Sequence, residues 1–174
     1  MAVREVLLLG NPKLYEISKP VDRDELKAIA GVVSDLHDTL INFRKKHNAG
    51  RAIAAPQIGA MKRLVYLHID KPVVFINPVL DEKSKEMIEL WDDCMSFPDL
   101  LVKVKRHKNC KINYRDMAWK EQAMMLEDDL SELLQHECDH LDGILAVARA
   151  IDQHSFALKS QGRFLRNRDI STFS

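Results

Sequence analysis

Cysteine is scarce in this chain. Three residues in 174, odd in number and spread over Cys94, Cys110 and Cys138, argue against a disulfide framework and leave thiols free to serve as metal ligands or as plain core residues. Glycine and proline number six each, too few for a fibrous or low-complexity chain, and no internal repeat or linker interrupts the sequence. No apolar run approaches the roughly 20 residues of a membrane span. The start, Met1 to Gly10, is too short and too charged for a secretory signal, so the cytoplasm is the expected compartment. Neither sign of charge is in surplus: Lys plus Arg and Asp plus Glu number 26 each, which gives no global reason to expect DNA or a membrane as partner. What remains is 46% hydrophobic residues in a length that can bury roughly 70% of the unfolded surface. That predicts a single domain over residues 1–174.

Hydrophobic spacing sorts the chain into helix, strands, helix. Asn11-Pro12 and Lys19-Pro20 predict an extended arm over residues 1–22. From Asp22, with Glu25 placed for a capping box, Leu26, Ile29, Val33, Leu36, Leu40 and Phe43 recur at three- and four-residue spacing and predict a helix. Its other face, with Lys27, Asp35, His37, Asp38 and Lys45, reads as solvated. Short apolar runs follow at 64–67, 73–76, 87–91, 101–104, 111–114 and 119–125, most of them turn-linked strands, with Asn77-Pro78 turning the chain. A helical pattern returns at Asp129, ends at Asp142-Gly143, and is followed by an apolar extended segment at 144–147.

The richest stretch is Gln135-His136-Glu137-Cys138-Asp139-His140-Leu141-Asp142-Gly143. On a helix, His136 and His140 leave one face a turn apart and can reach one metal ion, while Glu137 projects beside it, close enough to take a proton from a water held there. Such a pattern also arises by chance on amphipathic helices, so a third ligand is needed. Cys94, at the end of a strand and before a turn, is the candidate: one thiolate with two imidazoles leaves a position open for water. Upstream, Gly50-Arg51-Ala52-Ile53-Ala54-Ala55-Pro56-Gln57 brackets small residues that let a ligand approach the backbone. The Gln57 amide in that stretch could donate to an anionic oxygen.

These three stretches resemble, in order and separation, the motifs of the peptide deformylase family: Gly-x-Gly-Leu-Ala-Ala-Pro-Gln, Glu-Gly-Cys-Leu-Ser and Gln-His-Glu-x-Asp-His-Leu-x-Gly. The third is matched in full, as is the Ala54-Ala55-Pro56-Gln57 end of the first. The resemblance implies an α+β fold with antiparallel strands wrapped around a central metal-bearing helix, and helices near both ends of the chain. It implies a divalent metal, iron(II) above all with zinc, nickel or cobalt as substitutes, held by Cys94, His136 and His140. It further implies Glu137 as base, with Gln57 and the Met95 N–H steadying an oxyanion, and removal of formyl groups from N-formylmethionyl nascent polypeptides. A small formylated amine as substrate, or a silent binding protein that keeps the fold, are the other readings. A basic face of Lys159, Arg163 and Arg166, if residues 154–167 are helical, could by the same resemblance meet ribosomal RNA.

Departures cluster near the expected substrate pocket, formed by Gly50, Ala52, Asp93, Glu132 and Leu133. Ala52 stands where the family has glycine, and Asp92-Asp93 replaces Glu-Gly before the cysteine. Glu132, one turn before His136, lies on a part of the helix that in the family lines an apolar pocket for methionine. Asp93 and Glu132 either turn to solvent or pair with nearby Lys103 or Arg106, or else they bias the pocket towards a polar or cationic formylated substrate.

Overall fold

In the computed structural model, which describes residues 2–165, the apolar runs pair into two antiparallel sheets. One has five strands in the order β1 (Ala52–Ala54), β2 (Leu64–His68), β3 (Pro72–Asp81), β6 (Asn109–Arg115) and β7 (Glu121–Glu127). The other joins β4 (Met87–Asp93), β5 (Leu100–His107) and β8 (Phe156–Leu158). Two α-helices, α1 (Leu26–His47) and α2 (Asp128–Leu141), complete the α+β architecture. Among the described residues no helix is long and apolar enough to cross a membrane.

The five-stranded sheet separates the helices because its strands alternate. Ala52, Ala54, Val65, Leu67 and Phe75 face one way and pack with Leu134, Cys138 and Leu141 of α2. Ile53, Leu64, Tyr66 and Ile76 face the other way and pack with Ile29, Leu36 and Leu40 of α1. Since β2 is buried on both faces, its run reads as continuously apolar. The three-stranded sheet has its own core of Leu90, Phe97, Val102 and Val104, which also holds Cys94. Helix α2 is thus enclosed by strands from both sheets.

Before α1, Glu25 accepts a hydrogen bond from the Asp22 N–H at 2.8 Å, but this first turn is 3-10 and the α-helix begins at Leu26. Asn48 ends it in the left-handed region. After α2, Gly143 has φ +70°, and a Cβ there would come within 2.5 Å of the Tyr15 carbonyl oxygen. The amino-terminal arm therefore lies against the end of α2, where the Ser18 N–H also bonds the Leu141 carbonyl at 2.9 Å.

Several expectations are corrected. Asn77-Pro78 does not turn the chain; it sits inside β3 at a register shift, with Asn77 at φ 50°, a bulge that accommodates a proline without an N–H. After Gly143, Leu145 is extended as expected, but Ala146–Arg149 forms a 3-10 turn in place of the rest of the expected extended segment. Residues 154–165 do not form an α-helix: β8 pairs with Leu100–Val102, and a 3-10 helix follows over Lys159–Phe164. Lys159 and Arg163 then point in different directions at three residues per turn, and Arg166 lies outside the described residues. His37 is not simply solvated, since its Nδ1 lies 2.7 Å from the Tyr66 hydroxyl.

Candidate metal centre

Three elements bring the site together. β4 runs into a tight turn in which the Phe97 N–H bonds the Cys94 carbonyl at 3.0 Å, fixing Cys94 at the strand end. Its sulfur meets the face of α2 that carries both histidines: Cys94 Sγ lies 3.3 Å from His140 Nε2, which lies 3.1 Å from His136 Nε2. Helix α2 is held in this pose by Gln135, whose amide donates to the His107 carbonyl at 2.8 Å and accepts from the His107 N–H at 3.0 Å. The third element is the turn Ala55–Ile58, which carries Gln57.

The donor set fits a divalent ion. A tetrahedral ion with nitrogens about 2.0–2.1 Å away would hold two imidazole nitrogens roughly 3.3 Å apart, and the observed 3.1 Å is close to this. The ligand atoms of Cys94, His136 and His140 all lie within 4.8 Å of one another, and all three residues are buried. Asp92, Glu132 and His136 form a second close group, but it shares His136 through Nδ1, which Asp92 already engages at 2.8 Å.

That contact fixes the chemistry of His136. An Nδ1–H donated to the Asp92 carboxylate leaves Nε2 as the ligating atom and raises its basicity. Burial works against charge on His136, yet Asp92 and then Cys94 raise its pKa well above the ordinary value. His140 moves the other way, lowered by burial and then by the charge on His136, so it is present as the neutral ligand form. Burial also pushes Asp92 up, but His136 and Arg106 outweigh it and hold the carboxyl below the usual range. Arg106, 4% exposed, spans Asp92 at 3.2 Å and Asp139 of α2 in a shorter contact, and Arg149 joins Asp139 at 2.8 Å.

Glu137 is 3% exposed, and its Oε2 has no hydrogen-bond partner among the described residues. Burial pushes its carboxyl up to about 7. An unpaired buried carboxylate oxygen beside a ligand set is what a group that handles protons for a ligand looks like. Gln57 is oriented without ambiguity: its Oε1 accepts from the Ala54 N–H at 2.9 Å, so Nε2 must face Ser96 Oγ at 3.2 Å and Cys94 Sγ at 3.5 Å. Cys110 and Cys138 belong to the α2 core instead, with burial pushing the Cys138 thiol up to about 12.

Around these groups is a cavity of about 60 Å³. Gly50, Ala52, Gln57, Asp93, Met95, Glu132, Leu133 and Glu137 all line it, with Arg51 beside them, so these expected site residues converge on one place. Among the described residues the salt-bridge partners of the two acids are Lys159 and Arg51. Asp93 accepts from Lys159 Nζ at 2.7 Å, and Glu132 is ion-paired with Arg51 Nη2 at 3.8 Å while its carboxylate lies within 4.8 Å of the ligand atoms of Asp92 and His136. Burial, then the neighbouring Asp92, pushes the Glu132 carboxyl up to about 8.

Sequence reasoning missed Asp92, Arg106 and Arg51. Two of them were detectable by alternation: Leu90, Asp92 and Cys94 share one face of β4 and its continuation, and Val102, Val104 and Arg106 share the buried face of β5. A charge at a buried register position demands a buried partner.

Comparison with known proteins agrees with this geometry. Residues 3–156 match the family described as polypeptide deformylase. A peptide deformylase 1 from Prochlorococcus marinus is 35% identical over 177 residues, covering 92% of this chain and 88% of that protein. The crystal structure of peptide deformylase from Thermotoga maritima has a TM-score of 0.80 at 27% identity, covering 87% of this chain and all of that one (100%). A peptide deformylase from Acinetobacter baumannii bound to Met-Ala-Ser has a TM-score of 0.78 at 28% identity, covering 85% and 98%.

Proposed function

The chain belongs to the peptide deformylase family, and on that premise we propose that it hydrolyses the formamide at the amino terminus of formylated polypeptides, N-formylmethionyl nascent chains foremost. The observation that carries the reading is the buried Cys94, His136 and His140 set with Glu137 and Gln57 on the same cavity. Iron(II) is the ion we assign to it; zinc, nickel and cobalt suit the same thiolate and imidazole donors. The cytoplasm, where new chains emerge, is the matching compartment.

When bound, the ion supplies Lewis acidity, polarising the formyl oxygen and lowering the pKa of water from about 15.7 towards 7. The protein's own residues do the rest. Asp92 holds the His136 ring in its ligating tautomer. Glu137 takes a proton from the attacking water; its carboxyl, raised to about 7, is then matched to giving that proton to the departing amine. As the carbonyl carbon becomes tetrahedral, the Gln57 Nε2–H and the Met95 backbone N–H steady the oxygen. The C–N bond breaks, the water oxygen leaves in formate, and the proton leaves on the amine.

A peptide pair tests this. The metal-loaded protein is expected to release formate and free amine in equal amounts from formyl-Met-Ala-Ser. It should leave acetyl-Met-Ala-Ser intact, since the acetyl methyl would have to fit among the buried side chains of Cys94, Gln57 and Glu137. Failure to cleave either peptide would refute the proposal.

A further inference from the structure

The amino-terminal arm ahead of Pro12 is apolar without being buried: Leu8 and Leu9 are 57% and 40% exposed. Its course follows from backbone hydrogen bonds instead. At its start the Ala2 N–H bonds Asp35 Oδ1 at 3.0 Å and the Arg4 N–H bonds Thr39 Oγ1 at 2.9 Å, which pins it to α1. The arm then crosses to the site. There the Leu7 N–H donates to the Gln57 carbonyl and the Leu9 N–H to the Ser96 carbonyl, both at 2.8 Å. These two acceptors belong to different stretches of the site, and they also meet each other. Gln57 Nε2 donates to Ser96 Oγ at 3.2 Å, and the Ser96 N–H donates to Cys94 Sγ at 3.4 Å. One amide hydrogen of Gln57 is thus committed to Ser96, and the second faces Cys94 Sγ at 3.5 Å on the cavity wall. The arm holds Gln57 at both ends, by its own carbonyl and by the residue that takes the tip of its side chain.

We propose that the backbone of the amino-terminal arm is a positioning element for catalysis: through Leu7 and Leu9 it fixes the aim of the Gln57 amide at the oxyanion. The inference rests on the deformylase reading and extends its machinery to a segment whose side chains carry no chemistry. Donors that steady a developing oxyanion act only when already in place, and a misplacement of about 1 Å can cost about 10²-fold. Leu9 is where the tie can be cut with least disturbance. The Asn11 N–H bonds the Leu8 carbonyl at 2.9 Å and Gly10 has φ +100°, the signature of a type II turn with Leu9 at its first central position, where proline is favoured. Leu9→Pro therefore removes the N–H and keeps the turn.

The test follows steady-state formate release from formyl-Met-Ala-Ser by the metal-loaded protein, with calorimetric binding of the product Met-Ala-Ser beside it. Leu9→Pro is expected to lower kcat by about 10- to 100-fold while KM and product affinity stay within about twofold of wild type, the pattern of an interaction made only in the transition state. Leu9→Ala, an exposed substitution that keeps the N–H, should retain at least about half of kcat. In a Gln57→Ala background the further loss from Leu9→Pro should shrink to less than about threefold, because residues that act as a unit are not additive. Leu7→Pro cuts the other tie and should repeat the pattern, which gives a second reading should either proline variant fail to fold. Undiminished kcat in Leu9→Pro overturns the inference and leaves deformylation standing. So does an equal loss with and without Gln57, which would place the effect elsewhere. Unfolding of both proline variants, read from denaturation midpoints, overturns it by making the arm a stability element only. No formate from the wild type overturns both readings.

Discussion

Glu137→Ala is expected to slow formate release by about 10²- to 10⁴-fold, the contribution of a well-placed general base, while the metal stays bound. Glu137 lies outside the ligand set of Cys94, His136 and His140, so its removal leaves every donor in place. Nor should the fold suffer, because the substitution deletes a buried carboxylate with an unsatisfied oxygen, a group that costs free energy where it stands. In the metal-free protein the sign of the pH dependence follows from the same burial. The folded chain keeps a proton on Glu137 up to about 7, whereas the unfolded carboxyl has already released it. Stability present below the ordinary carboxylate range is therefore lost as pH rises towards 7, and Glu137→Ala should flatten that loss. Metal analysis, denaturation midpoints and formate release on one preparation check all three points. A variant that keeps more than a tenth of the activity would remove Glu137 from the mechanism, and one that loses the ion would make it a ligand.

Arg106→Met is expected to cost about 3–5 kcal/mol of stability, the loss when one member of a buried ion pair is removed. Arg106 is the shared cation of two acids on different elements, Asp92 of β4 and Asp139 of α2. Asp139 keeps Arg149 as a partner, but Asp92 is left with His136 alone. The loss should be read as a lowered denaturation midpoint at unchanged slope. Because Asp92 orients the ligating ring of His136, metal affinity should also fall, by about 10- to 100-fold as for other lost partners of ligating histidines. A change in stability below about 1 kcal/mol, the value of an exposed pair, would show that the network is not energetically buried.

The chemistry of the site was more legible than its support. Two histidines at i and i+4 need only a helix to converge, and α2 forms over Asp128–Leu141, one residue ahead of the expected start at Asp129. Cys94 and Gln57 could be matched to them because their motifs occur in the family's order. Asp92 was harder to read, because two adjacent acids look alike until strand register decides that one shares the face of Cys94 and the other turns towards Lys159. Arg106 was hidden among Lys103, Lys105 and His107 in a run that reads as surface charge. The misread carboxyl-terminal segment has a non-local cause. Its basic residues have helical spacing, but Phe156–Leu158 finds an open edge on β5, more than fifty residues earlier in the chain, and edge pairing is invisible to local periodicity. The polar wall formed by Arg51, Asp129 and Glu132 likewise exists only once the loop before β1 meets the start of α2.

Metal-dependent deformylation at Cys94, His136 and His140 is tested most directly by following formate release through one cycle of metal removal and return. Protein purified without oxygen is assayed on a formyl peptide as isolated, after chelation to a verified metal-free state, and after one divalent ion per chain is restored. Activity that disappears with the ion and returns with it is the predicted result; undiminished formate release by the metal-free protein would contradict the account.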